Sequence, residues 1–349
     1  MSLLTRSGKI PVDVVFSPKW WHKKTGICFD RGFFFGPKRR VKDEAAMEEF
    51  LCKKWGPFGL VEEIPGFPNI GAVHMACGYV MSEMLGCEVT YCDNDAPTVI
   101  PRRIEEYDCI EFDRMFKSQA FVDFDKMVRA LTAEYGGVSG DVNWSGVLNL
   151  ALDLRGEDLL VDMLTNESAA SGFFDLIAAA IERFTGYIDS KTGTTSISVN
   201  RNVRNVNKRV FLHSECSTTM ISVDMYRRLL QKYDMKWAEE KSSFGIHYCG
   251  VDPHRFADAY AELPKLDFLD LGYGGDVAYI REKLPLTFLN IRLSPVKLIT
   301  QTKSEIKAEI KEFYRASSSP KLTGFCCINI DDQVSDEKID AIFEAVSEL

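Results

Sequence analysis

The chain has 349 residues, 46% of them hydrophobic, 27% charged and 11% aromatic, with 42 Lys+Arg against 51 Asp+Glu and a net charge of −9. A chain of this length buries a substantial core in one large or two smaller domains, and its composition excludes a disordered, collagenous or staple-dependent protein. The acidic balance argues against a phosphate-backbone binder, so no nucleic-acid partner is expected.

In chain order, the opening MSLLTRSGKI has neither the charged nor the apolar region of a signal peptide. No run of 18 apolar residues follows: the longest candidate, GFFDLIAAAIERF, is broken by charges. A cytoplasmic protein with no membrane partner is the expectation. In that reducing setting its 10 cysteines read as thiols, metal ligands or core fillers.

Short apolar runs predict strands over 12–16, 147–152, 209–213, 244–248, 268–271, 286–290 and 323–328. Helical spacing predicts helices over 225–233, opened by Ser222, over 304–314, and over 339–346, opened by Ser335. Residues 17–60 are rich in aromatic and basic side chains (SPKWWHKKTGICFDRGFFFGPKRR) without a sustained period. They predict an N-terminal capping or lid region, 1–60, of one domain spanning 1–349. Strands followed by helices at regular spacing imply a parallel sheet, and their number favours an α/β fold of the closed (β/α)8 TIM-barrel type. No Gly-x-Gly-x-x-Gly turn follows the first strand, which weakens the open dinucleotide-binding alternative.

In such a barrel, chemistry sits at the C-terminal strand ends. The strand over 244–248 runs into His247-Tyr-Cys249, two residues apart and therefore on one face. The last predicted strand carries Cys326-Cys327. His247, Cys249 and Cys326 together make a three-ligand set of the kind that holds zinc with one position open. A third strand end carries His213 and Glu215. Both are candidate catalytic residues at the barrel mouth, Glu215 as a further ligand or as a proton donor and acceptor.

The His247-x-Cys249 pair with Cys326, 326 − 249 = 77 residues later, resembles the uroporphyrinogen decarboxylase superfamily, in its zinc-dependent corrinoid (cobalamin) methyltransferase branch. Arg155-Gly156 with Leu160, the Ile221-Ser222 helix start with Tyr226, and 270–276 also resemble that branch. The likeness is carried by residues 140–349. The resemblance implies a (β/α)8 barrel, zinc held by His247, Cys249 and Cys326, and a methyl group moved between a small molecule (methoxy compound, methylamine or thiol) and a separate corrinoid protein. A homodimer is common in the superfamily. Ser17–Lys24 stands where a true decarboxylase carries an arginine-rich run, which separates the chain from the tetrapyrrole decarboxylases. A metal-free decarboxylase and a non-catalytic barrel binding a tetrapyrrole or a partner are the alternatives.

Overall fold

The computed structural model describes residues 9–58, 60, 66–72, 74–75, 77–140, 142–193 and 201–349. Six strands form one parallel sheet: β1 (Val12–Phe16), β4 (Phe211–Ser214), β5 (Phe244–His247), β6 (Phe268–Asp270), β7 (Phe288–Arg292) and β8 (Thr323–Ile330), in the order β1-β8-β7-β6-β5-β4. Between β1 and β4 in sequence, β2 (Glu88–Cys92) and β3 (Asp95–Ile100) form a separate antiparallel hairpin.

The six strands are buried almost throughout, and their two faces differ chemically. One face packs against the helices through Phe211, Phe244, Ile246, Leu269, Leu289, Phe325 and Cys327, all within the main core. The other carries a small separate cluster of Val15, Cys326 and Ile328, with the buried polar residues Asp13, Ser214, His247, Asp270, Asn290 and Arg292 in register. This second face is the concave interior of the curled sheet.

Closure into eight strands is not what the described residues show. Where two further strands would stand, Asn69 pairs with Ser139 in a single parallel bridge, and Gly146 N–H donates to Ser214 C=O beside β4. The Arg201–Arg204 turn spans part of the gap, with Asn202 Nδ2 donating to Asn290 Oδ1 and Phe325 C=O.

Most predicted strands stand within two residues of their expected ends, because residues buried on both faces leave an unmistakable apolar run. The run at 147–152 is the exception. It forms part of the helix Val147–Arg155, whose Val147, Leu148, Leu150, Ala151 and Leu154 are all buried. A buried helix and a buried strand have the same short apolar signature.

The aromatic segment after β1 builds three helices, Pro18–Thr25, Arg31–Phe35 and Pro37–Trp55. Trp20 stacks on Phe16 at 3.9 Å between ring centroids, and Trp21, Phe50 and Trp55 close the cluster. Trp20, Trp21, Phe33 and Phe34 are fully buried, so the cluster is core and does not line a substrate pocket. Residues 1–8 of the predicted capping region lie outside the described residues. No helix among the described residues is long and apolar enough to cross a membrane.

Candidate metal centre

The parallel register places Ser214 opposite His247 at the ends of β4 and β5. Two residues beyond each strand end stand Cys216 and Cys249, which the same register brings together, with Cα atoms 5.1 Å apart. The thiol sulfurs of Cys216 and Cys249 and an imidazole nitrogen of His247 lie within 4.8 Å of one another. The two sulfurs are joined as a disulfide. His247 and Cys249 thus come together as expected, and Cys216, which nothing in its local sequence singles out, completes the group.

Cys326 does not join this group. Three strands away on β8, its thiol lies 3.6 Å from Asp270 Oδ1 and is fully buried. Burial and the adjacent Asp270 carboxylate push its thiol well above the usual range, so it is held as a protonated donor. Cys327 faces the helices and directs its sulfur toward Leu293 C=O.

Behind the group, His247 Nδ1 is bonded to Asp270 Oδ2. A ring nitrogen bound to a carboxylate fixes the imidazole and turns the other nitrogen outward. Burial holds His247 below its ordinary value despite Asp270, so the ring is neutral and its outward nitrogen is a free ligand. Asp270 also accepts from Asn290 Nδ2 at 2.9 Å. Burial works against its charge, yet His247, Arg292 and Asn290 hold its carboxyl below the usual range.

Loops beyond the strands meet closely here. Val251 bridges Tyr273, and a Cβ added to Gly272 would overlap the Gly250 carbonyl. Backbone cannot retreat as a flexible side chain can, so Gly272→Ala is expected to displace the loop carrying Cys249 and to cost about 1–3 kcal/mol. Urea unfolding of the variant checks this, an unchanged midpoint being the contrary result.

His213 and Glu215 are brought together, but not at the interior. His213 is in register with Ile246, whose side chain belongs to the helix-facing core. Its Nδ1 bonds Asp234 Oδ1 at 2.7 Å and its Nε2 lies 3.0 Å from Glu215 Oε1. Trp144 stacks on the ring and Trp237 meets it edge-on. Tyr226, in a π-helical turn, donates to Asp234 Oδ2 at 2.6 Å, and Leu148 N–H donates to Glu215 Oε1 at 2.9 Å. Burial disfavours the imidazolium, but Asp234 and Glu215 outweigh it and raise His213 to about 9. The cluster is a buried ionic tie between β4, the helix Val147–Arg155 and the helix Gln231–Glu240. The expectation of both side chains at the barrel mouth overlooked strand parity: residues two apart share a face, and for His213 that face is the outer one.

No protein-family model and no curated protein matches the sequence. Among solved structures, a methyltransferase from Methanosarcina mazei aligns at TM-score 0.68 and 15% identity over 97% of this chain and 94% of its own. A B12-independent methionine synthase from Shewanella sp. W3-18-1, in complex with selenomethionine, aligns at TM-score 0.50 and 10% identity over 99% and 96%. At these identities the likeness is one of fold, and the chain has the fold of these two methyltransferases, as its resemblance to the zinc-dependent branch leads one to expect.

Proposed function

We propose that this protein is a methyltransferase that moves a methyl group between a small molecule and a separate corrinoid protein, with the small molecule bound at a zinc ion held by Cys216, His247 and Cys249. The observation that carries the reading is the convergence of two sulfurs and one carboxylate-backed imidazole at adjacent strand ends. The donor set fits the metal: soft thiolate and imidazole ligands suit zinc, and three protein ligands leave a fourth position for substrate. Zinc there supplies Lewis acidity, which keeps a bound thiol as its thiolate near neutral pH. Cys216, His247 and Cys249 position that sulfur, and Asp270 holds the His247 ring in the ligating orientation. For a thiol acceptor, these residues would hold the sulfur on which the new S–C bond forms, the thiol proton would pass to solvent, and a methylated corrinoid on the partner would supply the methyl group. One fold neighbour is named a methyltransferase and the other a B12-independent methionine synthase, so the corrinoid partner rests on the sequence resemblance.

The test is metal analysis of the reduced protein followed by incubation with methylcobalamin and a thiol panel. One zinc per chain and loss of the cobalt–carbon absorbance are expected, whereas absence of stoichiometric zinc sinks the reading. The disulfide between Cys216 and Cys249 favours a second reading, a dithiol–disulfide couple at the same place. Sulfurs in a disulfide are not thiolate ligands, so the two states exclude one another. Oxidation with diamide is expected to abolish zinc uptake, and zinc is expected to shield two thiols from a thiol reagent.

Asp270→Asn keeps the shape and removes the charge behind His247. Zinc affinity is expected to fall roughly 10–100-fold, measured by competition with a chromophoric chelator, with the apo-protein's unfolding midpoint as the control for folding.

A further inference from the structure

Past the end of β4 the strand ladder no longer fixes the chain, yet Cys216 stands there opposite Cys249 with Cα atoms 5.1 Å apart. Glu215 N–H still reaches across to His247 C=O at 3.1 Å. Beyond it the backbone turns into the 3-10 segment Cys216–Met220, and backbone groups that leave a sheet need other partners. Asn149 supplies two of them. Its Nδ2 donates to Ser214 C=O at 2.8 Å, and Ser217 N–H donates to its Oδ1 at 2.8 Å. One side-chain amide thus closes a ring around residues 214–217, with Cys216 inside it.

The base of this clamp is fixed. Asn149 stands in the first turn of the helix Val147–Arg155, and Gly146, just before that helix, donates its N–H to the same Ser214 carbonyl at 2.9 Å. A Cβ at Gly146 would come within 2.3 Å of that oxygen, so the helix start lies directly on the strand end. From the same turn Leu148 N–H holds Glu215 Oε1 at 2.9 Å. On its far side the 3-10 segment is tied to the chain after Cys249, Arg255 Nη2 donating to Thr219 C=O at 2.7 Å. The Asn149 side chain bonds the chain on both sides of Cys216, from a helix that β4 itself supports.

We infer that Asn149 is a positioning residue: it holds the Cys216 sulfur against Cys249 and His247, whether the two sulfurs form a disulfide or bind zinc. The zinc half of this rests on the metal-site reading, while the disulfide half stands on the thiol pair alone. Residues that orient a metal ligand from behind are worth about 10–100-fold in metal affinity. Two thiols confined by the chain likewise meet at an effective concentration set by how closely each is held. Both uses of Cys216 need its sulfur at one place, so loss of the clamp weakens both.

The test is a pair of titrations on the full chain. In glutathione buffers the reduced, metal-free protein passes two electrons and two protons to glutathione disulfide, releasing two glutathione thiols. The equilibrium constant, read by mapping the Cys216–Cys249 disulfide, is the effective concentration of one thiol at the other. Zinc affinity of the reduced protein is measured by competition with a chromophoric chelator. Asn149→Ala is expected to lower both roughly tenfold. Asn149→Ser, which loses the amide but keeps a polar side chain, is expected to match it and carries the test if the alanine variant fails to fold. A glutathione equilibrium within about twofold of the parent protein's in either variant overturns the inference. It does so even if the urea midpoint falls, since that marks a role in folding alone. If the parent takes up no zinc, or if zinc affinity ignores Asn149 while the disulfide weakens, the metal-site reading fails and the positioning of Cys216 stands.

Discussion

Replacing Cys216 by serine is expected to lower zinc affinity by roughly 10²–10³-fold, whereas Cys326→Ser leaves it within about twofold of the parent protein. Zinc bound by a complete protein ligand set is worth about 10–16 kcal/mol, so a single thiolate carries about 3–4 kcal/mol of it. Cys216 and Cys249 stand opposite each other two residues beyond in-register strand ends. Cys326 turns its thiol toward Asp270. Cys249→Ser and His247→Ala should match Cys216→Ser in competition titrations with a chromophoric chelator. A loss from Cys326→Ser with Cys216→Ser near the parent protein would instead return the ligand set expected from sequence, His247, Cys249 and Cys326.

The second large effect concerns stability and pH. His213, raised to about 9 against its ordinary 6.5, is charged in the folded protein over a range where the unfolded chain has released its proton. A group whose folded value is raised stabilises fully below its unfolded value and loses that contribution as pH climbs through its folded value. The span from 6.5 to about 9 corresponds to about 3 kcal/mol. The urea midpoint is therefore expected to fall by about 1 M between pH 6 and pH 9.5, taking about 3 kcal/mol per molar for a chain of this size. Removing one partner of a buried ionic cluster costs about 3–5 kcal/mol, so His213→Gln should be less stable at pH 6 and should lose this slope. A slope retained in His213→Gln would assign the pH dependence to other groups.

These predictions also mark where local sequence stops being informative. Apolar runs bounded by turn residues disclosed β1 and β4 to β8, because strands covered on both faces need apolar residues at every position. His247-x-Cys249 was legible for the same local reason: period two on a strand puts both side chains on one side. Its partner was not. Cys216 lies 33 residues upstream of Cys249, and its role depends on the β4–β5 register, a hydrogen-bonding choice between distant segments. The available signal was that two consecutive strands each carry a cysteine two residues past their end.

His213 illustrates the opposite error. Two capable residues at a strand end looked like an active site, but which face of β4 points inward depends on the register with β5. Asp234, 21 residues further along the chain on the helix Gln231–Glu240, then makes His213 an internal ionic tie.

By itself the sequence determined the acidic, globular character of the chain, the alternation of strands and helices, and the pairing of His247 with Cys249. Those follow from composition and from periods of two and 3.6 residues, which act over short stretches. Only the tertiary structure decided that Cys216 and not Cys326 stands with them, that Asp270 backs the imidazole, and that the described residues curl one six-stranded parallel sheet. Each of those depends on register and curvature, which bring together residues that no local period relates.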